Sequence, residues 1–308
     1  MAPPSVPPVY RRLPLRLFLT ALVAVLGIVA SRFFRLSLSG RLSKPVSGLT
    51  APVSTAASAA VARRSMSTTP SASPSSPNPH PMRPPLVFPP PSPSAAASSE
   101  KRATVIWSHG LGDSAEGWRD FVEAVRGKWA REGRGEGVGW VVTNAYDIPV
   151  PAAPPALEDA QGMLASAGEI RSLIEAEVKN GVDPKRIVLG GFSQGAVLSL
   201  LTGLTHPEAL GGICALSGFL GLTHEDRIKE LTSPASAQTP IVWAHGTSDP
   251  MIRFSRALAG RSYLTDKLER KEGEAGGFEF KAYEGLEHSL GREEFGDVVE
   301  WLERVLEV

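Results

Sequence analysis

The first 99 residues contain no aspartate or glutamate, and the whole chain of 308 residues contains a single cysteine. Nine arginines and one lysine stand in that acid-free stretch, and because the formal charge of the chain is zero, the remainder carries an equal acidic excess. The fold is therefore placed from about Lys101 onward, and the acidic excess of that portion argues against nucleic acid as a partner. One cysteine excludes an intramolecular disulfide and a thiolate metal cluster. Cys214, inside the apolar run "GGICALS", reads as a small buried hydrophobe rather than a reactive thiol. The sequence also lacks H-E-x-x-H or any comparable grouping of metal ligands. No glycine loop runs into G-K-[ST], and Gly133, Gly135, Gly137 and Gly139 precede a strand rather than open a helix, so they read as a connection. Neither a metal nor a cofactor is expected.

The basic leader, residues 1–99, divides in two. "LFLTALVAVLGIVAS", residues 17–31, is uncharged and apolar, with Arg11, Arg12 and Arg16 before it and Arg32 and Arg35 after it. Fifteen residues fall short of the roughly 20 that span a bilayer. A signal-peptide core, a short membrane anchor and an organelle-targeting helix all remain open, and the flanking charge leaves orientation undecided. Residues 45–99 are rich in Ser, Ala and Pro and are read as a disordered tether, with too little apolar surface to offset chain entropy. A form starting at Met66 omits the apolar run and is expected in the cytoplasm, with the nucleus also open.

Residues 100–308 alternate short apolar runs with stretches that suit helices. The runs are "ATVIWS", "GWVVT", "RIVLGGF", "GICALS", "PIVWAHG" and "FEFKAY". The last helix, residues 293–308, places Phe295, Val298, Val299, Leu302, Val305 and Leu306 on one face. Such alternation predicts an α/β fold with a mostly parallel sheet covered by helices on both faces, and a site beyond the carboxyl ends of the strands.

Three residue types needed for nucleophilic catalysis lie at those ends. Gly191-Phe192-Ser193-Gln194-Gly195 fits G-x-S-x-G between a strand and a helix, a turn expected to strain the serine backbone and leave its hydroxyl exposed. A hydroxyl needs a base to take its proton, and the base needs an acid to fix its tautomer. Asp249 follows in "WAHGTSDPMI" and His288 in "AYEGLEHSLG", each in a loop after a strand and in the order Ser, Asp, His. His80, His206 and His224 have ordinary readings in the leader or near helix ends. His245 reads as a structural hydrogen-bonding residue at a strand end, and His109 as a residue that holds the loop after the first of these strands.

Taken together, "SHGLGDSAEGW", "GGFSQGAVLSL", "HGTSDPMI" and "YEGLEHS" resemble the acyl-protein thioesterase family of the α/β-hydrolase fold, which includes small carboxylesterases and lysophospholipases. The resemblance implies Ser193 as nucleophile, His288 as general base, Asp249 as its orienting acid, and the backbone N–H groups of Leu111 and Gln194 as oxyanion donors. It implies S-acylated proteins or acyl-ester lipids as substrates, and a monomer or weak homodimer. One departure stands out: after "VVTNA" the family pattern carries a longer segment with a tryptophan, whereas this chain passes directly to Tyr146-Asp147-Ile148. Narrower cover for a long acyl chain is expected from that shortening.

Overall fold

The computed structural model describes residues 84–98, 101–143, 155–273 and 277–308, all within one compact unit, Pro74–Val308. Its strands are β1 (Leu86–Phe88), β2 (Ala103–Ser108), β3 (Val138–Thr143), β4 (Ile187–Phe192), β5 (Gly212–Leu216), β6 (Ile241–Gly246) and β7 (Phe278–Tyr283). They form one sheet in the order β1-β3-β2-β4-β5-β6-β7, with β1 antiparallel to its neighbour and every other pair parallel. The helices are α1 (Pro93–Ala97), α2 (Arg119–Arg131), α3 (Ala160–Lys179), α4 (Gln194–Thr205), α5 (Arg227–Leu231), α6 (Phe254–Asp266) and α7 (Arg292–Leu306).

The runs of the inner strands β2 to β6 are nearly all apolar because both faces of the sheet are covered there. Ile106, Leu189, Ile213 and Trp243 point to one side, where α3, α4 and α6 contribute Met163, Ile170, Leu198, Leu201, Ala257 and Leu264. Their chain neighbours Trp107, Val188, Cys214 and Val242 point to the other, against Phe121, Val125 and Trp129 of α2 and Val298, Trp301 and Leu302 of α7. A register slip of one residue would exchange these two sets, putting Trp107 where Ile106 fits, so the pairing is strongly specified. Cys214 is buried in the second cluster, as its apolar setting suggested.

Two readings need correction. The boundary at residue 99 falls inside the folded unit, because β1 pairs with β3, Leu86 opposite Val142 and Phe88 opposite Trp140, and α1 follows it with Ser92 as its cap. Three apolar residues among prolines are too short to show a period, and an edge position tolerates the prolines that would break a central strand. In α7 the buried stripe includes Trp301, which the spacing argument left out, while Phe295 and Val305 are only partly buried. No helix among the described residues is long and apolar enough to cross a membrane. The apolar run at residues 17–31 and the segment 144–154 lie outside the described residues.

Candidate active site

The parallel strands β2, β4, β6 and β7 all deliver their carboxyl ends to the same side of the sheet, so the loops that follow them converge there. Ser193 is the single residue between β4 and α4, with φ 56° and ψ −118°, a conformation costly for any side-chain-bearing residue. It is held there by its own N–H, which donates to the Leu216 carbonyl at 2.8 Å. The flanking glycines are explained by contact: a Cβ on Gly195 would lie 2.1 Å from the Ser108 carbonyl oxygen, and one on Gly191 would lie 2.5 Å from the Gly195 carbonyl carbon. Strand, turn and helix can approach this closely only without side chains at those two positions. Ser193 as a residue is largely enclosed, with 7% of its surface accessible. The His288 ring and the loop at Gly110 cover it, a Cβ at Gly110 falling 3.3 Å from the Ser193 Cβ.

Asp249 sits in the turn after β6. Its Oδ1 accepts the N–H groups of Met251 at 2.8 Å and Ile252 at 2.9 Å. Its Oδ2 faces His288 Nδ1 at 2.7 Å, and His288 Nε2 lies 2.9 Å from Ser193 Oγ. All three residues singled out in the sequence are thus joined in one hydrogen-bond chain. A carboxylate can only accept, which puts the imidazole proton on Nδ1 and leaves the Nε2 lone pair for the serine hydroxyl. Phe192 packs against the His288 ring, centroids 4.8 Å apart.

The two candidate oxyanion donors come from different elements. Gln194 is the first residue of α4, and the first four N–H groups of a helix have no acceptor within it. Leu111 lies in the loop after β2. That loop is tied by His109 Nδ1, which donates to the Gly110 carbonyl at 2.7 Å, and by the Asp113 N–H, which donates to the same carbonyl at 3.2 Å. Asp113 also accepts the Ser114 N–H at 2.8 Å and the Trp118 indole N–H at 3.0 Å. Asp113 and Trp118 stand in the loop motif "SHGLGDSAEGW", but their five-residue spacing follows no rule that assigns this hydrogen bond from sequence. Among the described residues no group of three or more His, Cys, Asp or Glu side chains is arranged to hold a metal ion.

Behind the His288 loop, Glu294 of α7 is fully buried, and its Oε2 accepts the Gly291 N–H at 3.1 Å. Burial pushes its pKa up to about 7, with the Gly291 bond opposing and Asp297 reinforcing the rise. Between the ordinary glutamate value of 4.5 and about 7 the folded chain therefore holds more protons here than the unfolded chain. Stability falls as pH rises through that window and levels off above it, by on the order of 3 kcal/mol. Glu294→Gln, which keeps an acceptor for Gly291 without the charge, is expected to raise Tm at pH 8, with the gain shrinking toward pH 5. Parallel Tm-against-pH curves for the two proteins would contradict this.

Comparison with known proteins agrees with this fold. The phospholipase/carboxylesterase family profile matches residues 94–306. Acyl-protein thioesterase 1 of Yarrowia lipolytica is 37% identical over 220 residues, 67% of this chain and 93% of that relative. A probable carboxylesterase of Oryza sativa subsp. japonica is 34% identical over 230 residues, 70% of this chain and 82% of that relative. The crystal structure of SOBER1 from Arabidopsis thaliana is similar with a TM-score of 0.56 at 28% identity, covering 67% of this chain and 99% of that one. With a mostly parallel sheet flanked by helices and matches along most of its folded unit, the chain is a hydrolase that belongs to the phospholipase/carboxylesterase family of the α/β-hydrolase fold.

Proposed function

We propose that the protein hydrolyses acyl thioesters of S-acylated proteins, or the related acyl esters of lipids, through a covalent acyl-serine intermediate. The observation that carries this reading is the hydrogen-bond chain Ser193–His288–Asp249, with distances of 2.9 and 2.7 Å. Ser193 Oγ attacks the acyl carbonyl carbon while its proton passes to His288 Nε2. The carbonyl oxygen becomes an oxyanion that the N–H groups of Leu111 and Gln194 receive. Asp249 stabilises the imidazolium without taking its proton. His288 then returns the proton to the leaving thiolate or alkoxide, and the thiol or alcohol departs. Water attacks the acyl-serine by the same steps in reverse, its proton going first to His288 and then to Ser193 Oγ, and the fatty acid is released.

The thioesterase relative supports S-acylated proteins as the substrate class, and the rice relative supports simpler carboxylic esters. Apolar side chains on the loops at this end of the sheet suit a fatty chain: Leu111, Leu157 and Met251 are 44%, 73% and 61% exposed. Residues 17–31 are proposed to hold the full chain at a membrane or carry it to an organelle, and the folded unit to act as a monomer or weak homodimer.

A series of p-nitrophenyl esters from about two to sixteen carbons, beside a palmitoylated cysteine peptide, tests the substrate reading. Full burial of each methylene at about 0.8 kcal/mol implies a roughly fourfold gain in kcat/KM per carbon. With the shortened sequence after Ala145, a smaller gain beyond about eight carbons is expected, and short esters should still turn over. No hydrolysis of any ester or thioester would overturn the proposed activity. An unbroken fourfold rise to sixteen carbons would overturn only the link between this segment and chain length.

A further inference from the structure

His245 stands one residue before the end of β6, and none of its side chain is exposed. Its Nε2 lies 2.8 Å from the Ile252 carbonyl oxygen. A carbonyl can only accept, so Nε2 carries a proton. The same N–H edge is 3.5 Å from Asp249 Oδ2, the oxygen that receives the His288 Nδ1–H at 2.7 Å. Ile252 closes the arrangement from the other side, since its own N–H donates to Asp249 Oδ1 at 2.9 Å. The turn that carries the carboxylate is thus tied at Ile252 twice, once to Asp249 and once to His245. The groups facing the ring are the Asp249 carboxylate, His288, the carbonyls of Ile252 and Gly218, and the Phe254 ring at 6.1 Å. Burial holds the imidazole below its ordinary pKa and outweighs the Ile252 carbonyl and Asp249, which favour the charged form.

We propose that His245 is a positioning residue for the reaction: its neutral ring, donating from Nε2 to the Ile252 carbonyl, fixes the turn of Asp249 and sets a partial positive charge beside Oδ2, so that the carboxylate meets His288 in the orientation that stabilises the imidazolium. His245 touches no reacting atom and acts only through Asp249. The inference rests on the triad reading above. A side chain that merely filled space at the end of β6 could be replaced by any group of similar size, whereas this role needs a donor at the place of Nε2.

The test compares His245→Leu, which removes the donor, with His245→Gln, whose amide N–H reaches nearly the place of Nε2, both in the full chain and assayed on p-nitrophenyl butyrate. His245→Leu is expected to lower kcat on the order of 10²-fold, the scale of a misplaced catalytic group. KM should stay within about twofold, since no substrate contact is lost. Its acid limb of kcat/KM should move to lower pH, because a less well placed carboxylate stabilises the imidazolium less. His245→Gln should recover most of kcat and the wild-type limb. Equal activity in both variants, or equal loss with an unmoved limb, would overturn the positioning role. Ser193→Ala run in parallel separates the two claims: turnover surviving there sinks the triad itself, whereas an inactive Ser193→Ala beside an unimpaired His245→Leu sinks only the inference about His245. Nitrogen NMR of the histidine-labelled wild-type protein decides independently of whether the leucine variant folds. A neutral Nε2–H tautomer at pH 8 is expected, and an Nδ1–H tautomer there overturns the proposal.

Discussion

Ser193→Ala is expected to lower kcat on a short p-nitrophenyl ester by about 10⁴-fold or more, with little change in KM or Tm. The variant keeps the two backbone donors proposed for the oxyanion and loses only the atom that forms the acyl bond, so substrate still binds and residual turnover reflects binding and charge stabilisation alone. Its Tm should hold because an alanine Cβ occupies the space of the serine Cβ, and the φ of 56° is strained for either residue. His288→Ala should cost a similar factor, and the double variant should be little worse than either single one, because the two side chains act as a unit. Wild-type turnover should also climb with pH as the imidazole becomes neutral, since only that form accepts the serine proton. Near-normal turnover in Ser193→Ala, or full additivity in the double variant, would contradict the assignment.

Gly195→Ala is expected to damage both stability and activity, although it adds a single methyl group. That methyl would meet the Ser108 carbonyl oxygen at 2.1 Å, the Ser108 carbonyl carbon at 2.5 Å and the His109 carbonyl oxygen at 2.7 Å. All of these are backbone atoms at the end of β2, where Ser108 is registered against Gly191 of β4, so neither side can yield without opening the sheet at the serine turn. Overpacking of this kind costs about 1–3 kcal/mol or more, and in a folded unit of this size roughly 2–4 °C of Tm accompanies each kcal/mol. Activity should fall further than stability, because the displaced turn carries Ser193. Gly296→Ala provides the contrast: it lies in α7 with nothing within 4 Å of an added Cβ. There the same change should stabilise by up to about 1 kcal/mol through lower chain entropy. Equal Tm changes in the two variants would show that the close approach at Gly195 is not what makes it glycine.

The sheet was legible in the sequence wherever both faces were buried. β2, β4, β5 and β6 are mostly apolar runs bounded by turn residues, and their observed limits fall within a residue or two of the runs, whereas β7, at the edge of the sheet, alternates Phe278, Phe280 and Ala282 with Glu279 and Lys281. β1 was hidden because an edge strand of three residues among prolines has neither the length nor the period to be seen. Ser193, Asp249 and His288 could be picked out because each chemistry-bearing residue follows a strand, but their meeting depends on strand order, which no local pattern contains. The enclosure of Ser193 is hidden for the same reason: the ring of His288 and the loop at Gly110 come from distant parts of the chain. Asp113, which ties the loop of Leu111 to Trp118, and Glu294, buried behind the His288 loop, were equally invisible. An acidic residue near a turn or in the first turn of a helix has a sufficient solvent-exposed explanation until the fold encloses it.

The central claim is that Ser193 is an activated nucleophile, and a fluorophosphonate probe tests it most directly. Attack by Oγ on phosphorus expels fluoride and leaves a stable adduct, a reaction an unactivated serine does not undergo at a useful rate. Folded wild-type protein is expected to take up one probe per chain, on the peptide that contains Ser193, with hydrolysis lost in proportion. Ser193→Ala and heat-denatured wild type should take up none. Absence of labelling in active wild-type protein, or a single adduct on another residue with Ser193 unmodified and activity lost, would contradict it.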